Sequence, residues 1–82
     1  MPEISRFYGI CVSMYFLDHN PPHVHVAYGE HEAVYDIATL SVISGSIPTR
    51  ANNLFLEWAR DHKDELQEIW DSQNFRKLPP LD

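Results

Sequence analysis

The sequence predicts an α+β fold: a small antiparallel meander of about four strands, followed by one long C-terminal helix packed on one face. Two observations carry this. The first half of the chain alternates apolar and polar residues with period 2, interrupted by turn residues. After Pro48 there is no Gly or Pro until Pro79, and apolar residues recur at helical spacing.

The elements follow in order. From Tyr8 to Phe16 the even positions are Tyr8, Ile10, Val12, Met14 and Phe16, all apolar, whereas the odd positions include Gly9, Ser13 and Tyr15. This predicts a first strand with one buried face. Pro21 and Pro22 break it, since proline donates nothing to a ladder. A second strand is expected at about 23–28, with Val24, Val26 and Tyr28 on one face and His23, His25 and Ala27 on the other. The stretch Gly29-Glu30-His31-Glu32 is a turn candidate. A third strand is expected at about 32–37, and a short fourth in Leu-Ser-Val-Ile-Ser, ending at Gly45. Pro48 suits a first helical turn, or Thr49 caps it. Ala51, Leu54, Phe55, Trp58, Ala59, Leu66, Ile69 and Trp70 form the apolar stripe of a helix over about 48–72. Asp61 or Asp64 could instead cap a second helix. The whole reads as a single domain, 1–82, with strands at about 7–45 and a loose tail at 76–82.

Composition bounds the function. Twelve acidic against six basic residues give a formal charge of -6 in 82 residues, which opposes tight nucleic-acid binding by the free monomer. A basic protein partner, a local basic site and a homo-oligomer all remain open. No apolar run is long enough to span a bilayer, and no signal-peptide pattern opens the sequence. The single Cys11 cannot form an internal disulfide, and a reducing cytoplasm fits best.

Chemistry concentrates in Asp18-His19-Asn20-Pro21-Pro22-His23-Val24-His25. His23 and His25, two apart on a strand, project from the same face. A two-residue turn at Gly29-Glu30 would pair Val26 with Ala33 and set His23 opposite Asp36. A four-residue turn would pair Val26 with Tyr35 and set His25 opposite Asp36. Either register keeps apolar residues together and brings a carboxylate beside the histidines, with Asp18 and His19 at the loop rim. Imidazole suits zinc, copper, iron or nickel, and an orienting carboxylate is the usual support. His23, His25, His19 and Asp36 are therefore candidate ligands of a divalent metal. Those four with Asp18 are also the candidate catalytic set. The plainer alternative is that polar histidines alternate with buried valines because one sheet face is wet. Arg6 and Arg50 are candidate phosphate contacts, against the commoner role of an ordinary salt bridge. His62 fits a core edge, and both Trp and Cys11 fit packing. Glu57, Asp61, Asp64, Glu68 and Asp71 form an acidic helix stripe that is either solvated or docks a basic partner.

With these residues in view, a resemblance emerges. Ile-Ser-Arg-Phe-Tyr-Gly-Ile, Met-Tyr-Phe-Leu-Asp-His-Asn-Pro-Pro-His-Val-His-Val-Ala-Tyr-Gly-Glu, Gly-Ser-Ile-Pro and Leu-Glu-Trp-Ala-Arg-Asp-His-Lys-Asp-Glu-Leu resemble the bacterial and archaeal domain of unknown function 4160. Its loop motif matches Asp18, His19, Pro21, Pro22, His23 and His25, and its helix pattern matches Trp58, His62, Glu65, Leu66 and Trp70. The resemblance implies a neighbouring small protein partner, of the type called domain of unknown function 2442, in an arrangement like a type II toxin–antitoxin pair. This chain would be the toxin. Two classes of function are then expected. One is a nuclease-like toxin cleaving phosphodiesters, by metal-activated water or by histidine acid/base chemistry. The other is a non-catalytic binding module, antitoxin or regulator, that docks a protein; a metal or pH sensor without turnover is a third.

Overall fold

A computed structural model describes residues 3–15 and 17–82. Five strands, β1 (Glu3–Phe7), β2 (Ile10–Ser13), β3 (His23–Tyr28), β4 (His31–Asp36) and β5 (Val42–Ser46), precede one helix, α1 (Thr49–Ser72). The strands pair in sequence order and every pair is antiparallel. This is the expected α+β meander with one strand more. The segment read as a strand from Tyr8 onward begins with a turn. Phe7 pairs with Ile10, and the two residues between them, Tyr8 and Gly9, have φ of 49° and 81°. A two-residue hairpin whose central residues both have positive φ matches the twist of its strands. Tyr8 kept the apolar alternation running through that turn, yet it is 58% exposed. Phe16, the last residue of that expected strand, lies outside the described residues.

The β3–β4 hairpin closes on Gly29-Glu30, with Tyr28 opposite His31 and Gly29 at φ 59°. Of the two registers considered, the shorter turn is adopted. Val26 faces Ala33, and His23 faces Asp36. Between β4 and β5 the register slips at Val34/Tyr35. Gly45 there has φ +72°, and a Cβ on it would lie 2.2 Å from the Glu32 carbonyl oxygen, so no other residue fits without movement.

The helix is continuous through Asp61 and Asp64. Pro48 occupies the cap position with no side-chain cap bond, so Thr49 is the first helical residue and not its cap; the Pro48 carbonyl accepts from the Asn52 N–H. Gln73 ends the helix in left-handed conformation, its N–H donating to the Ile69 carbonyl. Helix and sheet share one core. Ala51, Phe55, Trp58, Ala59, Leu66, Ile69 and Trp70 meet Ile10, Val12, Val24, Val26, Ala33 and Tyr35. Tyr35 lies 4.4 Å from Phe55 and Phe7 5.3 Å from Trp58, centroid to centroid. Each fully buried Val, Ile, Leu or Phe among them contributes roughly 1.5–3 kcal/mol.

The tail expected to be loose is anchored. Leu78 is buried and its N–H donates to the Ile4 carbonyl at 2.8 Å. The Trp58 indole N–H donates to the Pro79 carbonyl at 2.7 Å, and Lys77 pairs with Glu3. Chain ends fray unless apolar and hydrogen-bonding groups hold them, and here Leu78 and two main-chain carbonyls do so. No helix among the described residues is long and apolar enough to cross a membrane.

Candidate metal centre

The site begins with strand parity. Val24 and Val26 sit at 0% and 1% exposure in the core. His23 and His25 project from the opposite face of β3, with 12% and 26% of their side chains exposed. The loop before β3, with a cis Asn20–Pro21 bond, brings Asp18 back over them. Asp18 Oδ2 lies 2.8 Å from His23 Nε2 and 3.3 Å from His25 Nε2. Its Oδ1 accepts from the His19 N–H at 2.8 Å. The three donor atoms all lie within 4.8 Å of one another. Aromatic rings wall the group. Trp70, in the last turns of α1, stands 5.1 Å from His23, and Tyr15 meets His25 edge-on at 4.3 Å.

Burial alone would raise the Asp18 pKa. The His19 N–H and the two imidazoles outweigh it, and the carboxyl is held below the usual aspartate range. His23 is constrained on both sides. Its Nδ1 lies 2.7 Å from the Pro21 carbonyl oxygen and its Nε2 faces the carboxylate. Both ring nitrogens therefore address acceptors, whereas a neutral imidazole carries a single N–H. The geometry calls for a second positive centre there: either an imidazolium proton or a cation at Nε2. The donor set suits a cation. With Nδ1–H donating to a carbonyl, Nε2 presents its lone pair as a ligand, the support typical of metal-bound histidine. Ligands at about 2.0–2.2 Å around a tetrahedral ion stand roughly 3.3 Å apart, the separation of Asp18 Oδ2 from His25 Nε2 and somewhat more than the 2.8 Å from Asp18 Oδ2 to His23 Nε2. Two imidazoles and a carboxylate would also leave a fourth position open.

The other expected site residues lie elsewhere. His19 is exposed and reaches Asp18 through its backbone N–H. Asp36 stands opposite His23 in the ladder, but its Oδ1 accepts from the N–H groups of Ala38 and Thr39, closing the turn after β4. Among the described residues the cluster is Asp18, His23 and His25. Arg6 pairs with Glu3 at 2.7 Å. Arg50 is exposed in the first turn of α1, where it lines an open pocket of about 350 Å³ with Tyr8, Tyr28, Ala51 and Leu54. Tyr28 ends β3 and His23 starts it, roughly 17 Å away at about 3.3 Å per residue, so Arg50 is not beside the histidines. His62 is hydrogen-bonded to Glu65 and stacked 4.9 Å from Trp58, apart from the cluster.

Sequence reasoning missed the roles of Tyr15, Trp70 and the Pro21 carbonyl. Tyr15 had a signal, its odd position beside Ser13. Trp70 had none, because a helix residue reaching a strand residue 47 positions earlier is a tertiary fact.

A cross-strand row continues from the site. Ser13 pairs with His25 and Glu3 with Ser13. Glu3 accepts from Lys77, Cys11 and Arg6, in that order of effect, and its pKa falls to about 2. The histidine face is thus polar from β1 to β3.

No curated protein and no solved structure matches the chain. A family model does, over residues 9–71, from the β1–β2 turn through nearly the whole of α1 and including every residue of the Asp18–His23–His25 cluster. The chain therefore belongs to the family described as Domain of unknown function (DUF4160).

Proposed function

We propose that Asp18, His23 and His25 hold a divalent metal ion, and that the chain is the toxin-like member of a two-protein pair, acting by phosphodiester hydrolysis. The observation that carries the metal reading is the convergence of one carboxylate and two imidazoles, their donor atoms within 4.8 Å of one another, beside a His23 ring both of whose nitrogens face acceptors. A cation at Nε2 resolves that conflict and uses the carboxylate as a ligand. Bound there, a divalent ion supplies a Lewis acid and a water activated near neutral pH. The chain's own residues do the rest. The Pro21 carbonyl fixes the His23 tautomer, the His19 N–H steadies Asp18, and Trp70 and Tyr15 limit water around the rings. A chain of charge -6 must still hold a polyanion. With Arg6 tied to Glu3 and Arg50 at the far end of β3, the local positive charge falls to the ion. Metal-free acid/base cleavage, with His23 as imidazolium, is the variant of the same site. The toxin role, a partner of the domain-of-unknown-function 2442 type and a cytoplasmic setting rest on the family resemblance and on the unpaired Cys11.

Expression of the chain alone should slow bacterial growth, and the neighbouring gene should relieve it. His25→Ala should abolish the effect while circular dichroism and melting match wild type. Undiminished toxicity of folded His23→Ala and His25→Ala variants would remove the hairpin as the active face. A harmless wild type beside a toxic partner would favour the non-catalytic binding module instead.

A further inference from the structure

The two edges of the sheet are finished differently. At β1 the C-terminal tail covers the edge, with Leu78 N–H donating to Ile4 and Lys77 pairing with Glu3. At β5 nothing comparable happens. All five residues of β5 are exposed, Val42 at 47% and Ile43 at 48%. Among the described residues, Val42–Ser46 make no backbone hydrogen bond outside the ladder to β4. Natural edges are commonly guarded by Lys, by Pro or by a charge that repels a second strand. β5 contains none of these; its one irregularity is the bulge that places Ile43 between the partners of Val34 and Tyr35, and no residue in 37–49 carries a charge.

We propose that β5 pairs antiparallel with β5 of a second copy, giving a two-fold dimer with a ten-stranded sheet. Charge selects this occupant. Two molecules of charge -6 repel over most of their surfaces, and the uncharged stretch 37–49 is where they approach without like charges meeting. An antiparallel strand edge is also self-complementary, since the same donors and acceptors recur on both sides of the two-fold axis. Pairing of β5 with β5 is isologous and uses the same edge of both copies, so association through it closes at two instead of growing into a filament. The axis stands perpendicular to the joined sheet. Both helices therefore lie on one face and both histidine clusters on the other, their β3 strands about 24 Å apart at roughly 4.8 Å per strand.

A pair of five-residue strands with two aliphatic side chains is smaller than the interfaces of tight complexes. The dimer is accordingly weak and concentration-dependent. Sedimentation equilibrium of the purified chain should show the mass rising with concentration from 9.5 kDa toward twice that value. Ile43→Lys, which places a guard charge on the edge, should weaken association by at least about tenfold. Leu17→Lys makes the same charge change at a residue 75% exposed outside the strands and should leave association unchanged. If circular dichroism shows that Ile43→Lys does not fold, Val42→Lys provides the same test. A chain that stays monomeric throughout, or whose dimer the folded edge variant leaves intact, overturns the proposal. So does a monomer that fills β5 only with a different protein.

Discussion

The two faces of β3 share one backbone and follow different rules. On one face Val24 and Val26 are sealed against α1, and their surroundings are aliphatic or aromatic. On the other, His23 and His25 stay partly accessible, and both oxygens of Asp18, both ring nitrogens of His23 and Nε2 of His25 meet named partners. The contrast teaches where stability and chemistry reside. The valine face contributes apolar burial, which is non-directional and large. The histidine face contributes little burial, and its value lies in where donor atoms converge. A change on the first face should unfold the protein, whereas one on the second should spare the fold and remove the site.

The largest expected effect is on the valine face. Trp58 is 1% exposed, packs on Phe7 and Phe55 and donates its indole N–H to Pro79. Trp58→Ala should cost about 3–5 kcal/mol in denaturant unfolding, and unchanged stability would break the distinction between the faces. On the histidine face, His25→Ala should cost about 1 kcal/mol or less, within the range of partly exposed substitutions. A loss matching that of Trp58→Ala would mean that the polar face is structural.

Much of this division was legible in the sequence, for a specific reason. Period 2 assigns Val24 and Val26 to one side and His23 and His25 to the other, and Gly29 marks the turn that sets their register. Glycine gave the corresponding warning at Gly9. The apolar Tyr8 beside it masked the hairpin and hence β1, because alternation by itself does not distinguish a strand from a turn that keeps its phase. Asp36 shows the limit of register. It stands opposite His23 as one of the two pairings required, but its Oδ1 turns to the N–H groups of Ala38 and Thr39, closer in sequence. Asp18 came from the loop rim, where no periodicity applies, and only the folded loop sets its Oδ2 against both rings. The tail was misjudged from its position in the chain, although Leu78 was there to be buried.

The smallest effect is on acid stability. The Glu3 carboxyl, held by Lys77, Cys11 and Arg6, titrates at about 2 in the folded chain against an ordinary 4.5. A lowered folded value means that its contribution is complete above the ordinary range and is lost as pH falls from about 4.5 toward about 2. Asp18, also lowered, acts with the same sign. Glu3→Gln should therefore flatten the acid limb of a melting-temperature profile and leave the Asp18 contribution in place. An unaltered limb would show that the row from β1 to β3 contributes nothing through Glu3.

The central claim is that the histidine face converges on a cation, and metal binding by the purified chain tests it most directly. After treatment with chelator and dialysis, titration with zinc or nickel should show one site per chain and raise the melting temperature. His23→Ala and Asp18→Asn should each lose that binding while keeping the wild-type circular dichroism spectrum. Wild-type protein that binds neither ion, or folded variants that bind as well as wild type, would contradict the account.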